Sequence, residues 1–333
     1  MKNKFTLIAA FVLCIVFQVS AQISQRDQAI KYYLDGNNIE AILALEKIVK
    51  QKQYSSDADA VNYLGLAYQN ALEDKKARKM FEKAVKLQPA NANYRANLSY
   101  AYLLIRQLNK SQQEAKKSLQ IDPSNTSALF VMGTADLWEG DLKSAFTTSD
   151  KMLIADPAFP LGYILKSDVL IAALGNEVSA GAKIKEKISF LKQAVDVLEL
   201  GMQKCQSLPN RKGMEEKLEG VRVFYEHYSK DKSVDSAVPT VPEPGVTPVK
   251  ILAKPRATYT ERARSAGVQG AIRLAVLLGA NGKILYILKL KGLGYGLDEN
   301  AIGAARQITF VPKMKNGVPV STVVTLEYGF SIY

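Results

Sequence analysis

Ala58–Asn91 reads ADAVNYLGLAYQNALEDKKARKMFEKAVKLQPAN. Leu64, Gly65 and Tyr68 fall in its first half, and Ala77, Phe81 and Ala84 in its second. Gly65 and Ala77 would let two helices approach closely, while Tyr68 and Phe81 would fill the gaps between neighbouring hairpins. Pro89 ends the second helix, because proline has no amide to give and its ring clashes with the preceding turn. Pro123 and Pro157 follow at intervals of 34 residues. A fixed period of this length is the mark of stacked helical hairpins.

The Ala58–Asn91 spacing resembles that of the tetratricopeptide family. The next copy keeps Leu98, Tyr102 and Pro123 but has Ser99, Ser111, Ala115 and Ser118 where glycine, alanine or phenylalanine is usual. The third keeps Gly133, Ala145 and Pro157, and a looser unit over 22–57 has Tyr32, Gly36, Ala41 and Leu45 in comparable places. After Pro160 the period breaks into a helix over Leu161–Leu174, a glycine-containing loop, and helices over Lys183–Gln206 and Lys212–Tyr228. Terminal units of such arrays are atypical because they cap the stack. The resemblance implies a groove lined by the first helix of each hairpin: Asn62, Leu66, Gln69, Asn70, Ala96, Tyr100, Leu103, Phe130, Thr134 and Trp138. That lining is amide-rich and aromatic, suited to a protein or peptide, and it lacks a lysine/arginine clamp for a terminal carboxylate.

Four of the twelve prolines crowd into Pro239–Pro248. Before them apolar residues recur with helical period, and after them they alternate as strands do. The expected division is an N-terminal segment 1–21, helical repeats over 22–228, a proline-rich linker over 229–249 and a second module over 250–333. The fold class is therefore multidomain: an all-α repeat array, then a small α+β domain.

In the second module Thr258 and Glu261 have capping-box spacing and predict a short helix over Tyr259–Ala266. Ile272, Leu274, Val276 and Leu278 alternate with Ala271, Arg273, Ala275 and Leu277, a strand. Asn281-Gly282 predicts a hairpin turn, and the return strand sets Ile284, Tyr286, Leu288 and Leu290 against Lys283, Lys289 and Lys291. Leu297, Ala301, Ala305 and Ile308 make one helical stripe. Val320 to Ile332 alternates again. The order helix, strand, strand, helix, strand predicts an antiparallel sheet with one face under a helix.

This module resembles the TonB C-terminal domain family over nearly all of 250–333. The matches are Lys254-Pro255, Tyr259 to Arg264, Gly267 to Gly270, Asn281-Gly282-Lys283, Gly296 to Glu299 with Ala301, Phe310-Val311-Pro312 and Asn316 to Val320. Thr260 departs from it, standing where a proline is usual. The resemblance implies a partner: a short segment of an outer-membrane transporter that joins the sheet as an added strand, using backbone groups of an edge instead of a chemical motif. The expected edge is Val320, Ser321, Thr322, Val323, Val324, Thr325, Leu326 and Glu327, and proline at 324 is expected to abolish docking. A second copy of the chain, pairing through the same domain, is the competing occupant.

Residues 250–333 hold twelve Lys/Arg against four Asp/Glu, a net +8, within a chain of net +12. Lys2 and Lys4 precede an apolar run from Phe5 to Phe17 and then Val19-Ser20-Ala21, the layout of a secretory signal peptide. A spanning anchor needs about 20 apolar residues, so cleavage after Ala21 is the expectation and a retained short anchor the alternative. Either places the chain in a bacterial envelope, in the periplasm. Family members that transduce energy keep a membrane helix bearing a histidine and a longer proline-rich rod; a non-transducing periplasmic adaptor is the competing function. An exported chain without an aromatic-plus-basic stacking motif is not expected to bind nucleic acid. Cys205 reads as a packing residue, and lone His227 has no nucleophile or metal partner in sequence. Glycines 292, 294 and 296 lack the spacing of a phosphate loop. No catalysis, metal or cofactor is expected.

Overall fold

The computed structural model describes residues 25–180, 184–205, 211–230 and 244–332. The N-terminal segment 1–21 and most of the proline-rich linker lie outside the described residues. The chain divides into two compact units, 1–131 and 132–333.

In the first unit α1 covers 25–34, α2 Asn38–Lys50, α3 Ala58–Asn70, α4 Asp74–Leu87, α5 Ala92–Leu104 and α6 Leu108–Ile121, and α7 (Thr126–Glu139) begins. Asp57, Asn91 and Asn125 cap α3, α5 and α7 by accepting the amides of Ala60, Tyr94 and Ala128, each satisfying a helix-end donor. Between the helices of each hairpin the backbone turns left-handed, at Gly36, Leu72 and Arg106 in this unit and again at Gly140 in the second. Four matching bonds close these turns: the amides of Asn37, Glu73, Gln107 and Asp141 donate to the carbonyls of Tyr32, Tyr68, Tyr102 and Asp136. That 6→1 bond is the Schellman closure of a helix end. Its recurrence shows tandem hairpins in the backbone itself, the loose first unit included.

Phe81 is fully buried against Gly65, where an added Cβ would lie 2.6 Å from the ring. In the serine-rich second copy the aromatic is replaced by Ala115, and hydroxyls bond the backbone instead. Ser111 Oγ donates to the Ser99 carbonyl at 2.7 Å and Ser118 Oγ to that of Ala92 at 2.8 Å. These two buried hydroxyls are thus satisfied.

The second unit carries the rest of α7, then α8 (Leu142–Ala155), α9 (Pro160–Ala180), α10 (Ile184–Lys204) and α11 (Arg211–Lys230). Helix α9 runs straight through Gly175, which the sequence reading assigned to a loop. A Cβ at Gly175 would stand 3.1 Å from Leu290 Cβ, so the glycine permits helix–sheet contact. The following elements are β1 (Val246–Thr247), β2 (Lys250–Ala253), α12 (Glu261–Ser265), β3 (Gly270–Leu278), β4 (Ile284–Lys291), α13 (Leu297–Ala305), β5 (Thr309–Val311), β6 (Lys313–Lys315), β7 (Val318–Val320) and β8 (Thr322–Phe330). Helix α12 starts after Thr260, not Thr258: the Thr260 side chain accepts the Ala263 amide and donates to the Tyr295 carbonyl. The residue that departs from the family pattern is therefore the cap.

The main antiparallel sheet has the order β4-β3-β8, and two smaller sheets have the orders β2-β5 and β1-β6-β7. These short strands were not foreseen, and β1 pairs residues of the expected linker with Met314 and Lys315. One face of the main sheet packs Ile272, Leu274, Val276, Tyr328 and Phe330 with Leu297, Ala301 and Ala305 of α13. The other face is covered too. Ala275, Leu277, Leu288 and Leu290 join Leu170, Leu174, Leu191 and Phe224 from α9, α10 and α11 in one buried cluster. Tyr286 OH donates to the Glu216 carbonyl at 2.7 Å, and its ring lies over Gly220.

Candidate binding edge and helical surface

Strand β8 pairs with β3 without interruption, from Gly270↔Phe330 to Leu278↔Thr322, and no described strand lies on its other side. In an antiparallel strand the backbone groups of successive residues point alternately to the two neighbours. At the β3–β4 turn the Gly279 amide donates to the Lys283 carbonyl at 2.8 Å, so Gly279, Leu277 and Ala275 face β4. The register shifts of that hairpin skip residues on β4 alone, which keeps the alternation of β3 intact. Leu278, Val276, Leu274, Ile272 and Gly270 then face β8, and Thr322, Val324, Leu326, Tyr328 and Phe330 face back. Outward groups are left on Val323, Thr325, Glu327 and Gly329. Lys254 bears this out independently: its Nζ donates to the outward Glu327 carbonyl at 2.6 Å.

The expected stretch 320–327 is therefore divided. Val320 belongs to β7, opposite Lys313, and Ser321 accepts the Ala280 amide through its hydroxyl. Thr322, Val324 and Leu326 spend their backbone groups on β3, while Val323, Thr325 and Glu327 present theirs outward. Proline at position 324 would act on the ladder to Val276 and leave the outward groups of the edge in place. Gly329 was missed, because without a side chain it leaves no trace in an alternation pattern.

Asp298 takes the amides that a phosphate loop would need. Its Oδ1 accepts from Leu293 at 2.8 Å and Gly294 at 3.1 Å, and its Oδ2 accepts from Lys289 at 2.7 Å. Cys205 is buried and donates to the Ala158 carbonyl; burial pushes its thiol up from the ordinary value, away from a reactive thiolate.

In the first unit the expected groove residues separate by burial. Ala96 and Leu103 are core residues, and buried Asn62 accepts from Asn97 Nδ2 at 2.9 Å. Leu66 and Gln69 are half-buried, and Asn70 is exposed with its amide on Asn38. Tyr100 and Phe130 meet as a tilted aromatic pair with centroids 6.2 Å apart. Sequence reading missed a second aromatic pair, Tyr33 and Tyr63, at 5.5 Å. Arg26, Ile30, Lys31, Leu34, Asp59 and Tyr63 line an open cleft there. Arg26 is already held by Asp57 at 2.6 Å. In the second unit Thr134 and Trp138 are half-buried. A Cβ on Gly294 would lie 3.8 Å from the Trp138 ring, so this indole stands beside the chain's own α13 loop.

Residues 255–332 match the family described as Gram-negative bacterial TonB protein C-terminal, and this part of the chain is a domain of that kind. Among solved structures the chain is similar to the MamA RS-1 ArsTM double mutant (16% identity, 56% of this chain and 97% of that one, TM-score 0.44). It is also similar to YrrB, described as a TPR protein with an unusual peptide-binding site (20% identity, 58% and 96%, TM-score 0.42). The Arabidopsis OM64 TPR domain is a third (24% identity, 34% and 93%, TM-score 0.33).

Proposed function

We propose that this chain serves the bacterial envelope as a binding protein whose TonB-type domain takes an extended segment of an outer-membrane transporter onto β8, in support of transport. The observation that carries the reading is the free edge of β8, with backbone groups of Val323, Thr325, Glu327 and Gly329 turned outward. Such an edge binds through main-chain hydrogen bonds and needs no catalytic group. The net +8 of residues 250–333 would speed encounter with an acidic partner. The helical hairpins form a second protein-binding surface, with Leu66, Gln69, Asn70, Tyr100 and Phe130 as its accessible part.

Thr325→Pro tests the edge. It removes one outward amide at an exposed position and leaves the β3 ladder whole, which an edge strand tolerates. Peptides from the periplasmic N-terminal segments of outer-membrane transporters, titrated by calorimetry against the full chain, are expected to bind the variant at least tenfold more weakly. Equal affinity would rule out this edge.

The apolar run of Phe5–Phe17 is short for a membrane span, which favours an accessory role over coupling to an inner-membrane motor. The exported protein is expected to start at Gln22 on N-terminal sequencing. An intact Met1 in the inner-membrane fraction would favour the coupled transducer.

A further inference from the structure

The free edge that could take a foreign strand could equally take a second copy of itself. On β8 itself Thr322–Leu326 reads TVVTL: five residues with no charge and no proline, four of them β-branched valine or threonine. A run of this kind on an open edge is a template for edge-to-edge pairing. Two copies meeting antiparallel there would match by two-fold symmetry. One contact stands against it. Lys254 follows β2, in a different sheet, and reaches over to the edge strand. Its ammonium rests on the outward Glu327 carbonyl and lies 4.8 Å from the centre of the Tyr328 ring. The side chain is thus fixed at two points while remaining exposed to solvent.

We infer that Lys254 is a displaceable plug that keeps the β8 edge from pairing with a second copy of the chain. The carbonyl it occupies is one of the outward acceptors that a strand added along the whole of β8 would use, and a lysine at a strand edge carries a charge that a dry ladder cannot bury. A second copy brings the same uncharged run and another Lys254, so pairing must strip two ammonium groups from their carbonyls. The inference rests on the same edge geometry as the proposed function but needs no transporter segment.

Sedimentation of the full chain tests it. Lys254→Met is expected to dimerise at a concentration about tenfold lower than the unaltered chain, in line with loss of a charge-assisted hydrogen bond. Lys250→Met, which removes an exposed charge from β2 without touching the edge, is expected to sediment unchanged. Adding Thr325→Pro to Lys254→Met is expected to restore the monomer, and Lys254→Arg to behave as the unaltered chain. The plug is overturned if Lys254→Met stays monomeric at every concentration, if Lys250→Met dimerises equally, or if Thr325→Pro does not reverse the dimer. Circular dichroism of each variant separates these outcomes from misfolding, and a misfolded Lys254→Met would itself replace the plug by a structural role. Failure here leaves docking of a transporter segment standing, and failed peptide binding leaves the plug standing.

Discussion

Replacing Asp298 by alanine is expected to destabilise the C-terminal unit by about 3 kcal/mol, the loss of a carboxylate that serves one buried amide, one half-buried amide and a lysine. The Asp298 side chain is 7% exposed. It sits under a loop whose backbone is left-handed at Gly294, Tyr295 and Gly296 in succession. A left-handed tyrosine persists only where its surroundings hold it; the Asp298 carboxylate bonds the loop before it and the Thr260 hydroxyl bonds the Tyr295 carbonyl itself. Gly292 makes room for it, since a Cβ there would lie 2.4 Å from Oδ2. Lys289 keeps 38% of its side chain exposed, so it can turn to water when its partner is lost. The expected cost therefore comes mainly from the stranded amides of Leu293 and Gly294. Thermal and urea melts of the full chain measure it, and Asp298→Asn, which keeps an acceptor oxygen, should fall between.

The same pair sets a pH dependence. Burial alone would raise the Asp298 carboxyl, but Lys289 and the two amides hold it below the usual range. Burial likewise opposes the Lys289 charge, and Asp298 overcomes that and holds the ammonium above its ordinary value. A lowered acid contributes stability that is present above the unfolded value of 3.8 and is lost as pH falls through the folded one. A raised base contributes stability present below 10.5 and lost as pH rises through its folded value. Asp298→Asn should therefore flatten the acid limb of the stability profile.

Much of this was legible in the sequence because it depends on side-chain period. The 34-residue recurrence of proline and the two-residue alternation of β3 and β8 are each visible as letters, whereas Phe81, expected between hairpins, packs on Gly65 of its own hairpin. What was hidden depends on the backbone. Leu72 and Arg106 make left-handed turns that glycine makes at positions 36 and 140, so a search for turn residues passes over them. Gly175 reads as a loop residue until Leu290 is found against it. The direction of each outward group on β8 follows from a hydrogen bond at the opposite hairpin, between Gly279 and Lys283. No pattern along β8 itself encodes it. Ala275 and Leu277 alternate on the second face of β3 and are apolar, which was the one available sign that this face is also covered.

That second face leads to the largest effect. A fragment of residues 244–333 without α9, α10 and α11 is expected not to fold cooperatively, although the sequence places a boundary at the proline-rich stretch. In the intact chain Leu277, Leu288 and Leu290 are buried against those helices, with Tyr286 and Val323 packed beside them. Exposing them forfeits on the order of 8 kcal/mol at the usual value for a buried aliphatic side chain, which is comparable to the whole stability of a typical domain. It would also bare an apolar patch of the kind that aggregates. A fragment beginning at Asp141 retains α8 to α11 and is expected to give a single cooperative melt. Gly220→Leu in the full chain drives the same surfaces apart by a different route, because even a Cβ there would lie 2.2 Å from the Tyr286 ring. It should lower the melting temperature and increase dye binding to exposed apolar surface. If residues 244–333 alone melt cooperatively at the temperature of the Asp141 fragment, the helices are an ornament of the sheet and the domain ends where the prolines begin.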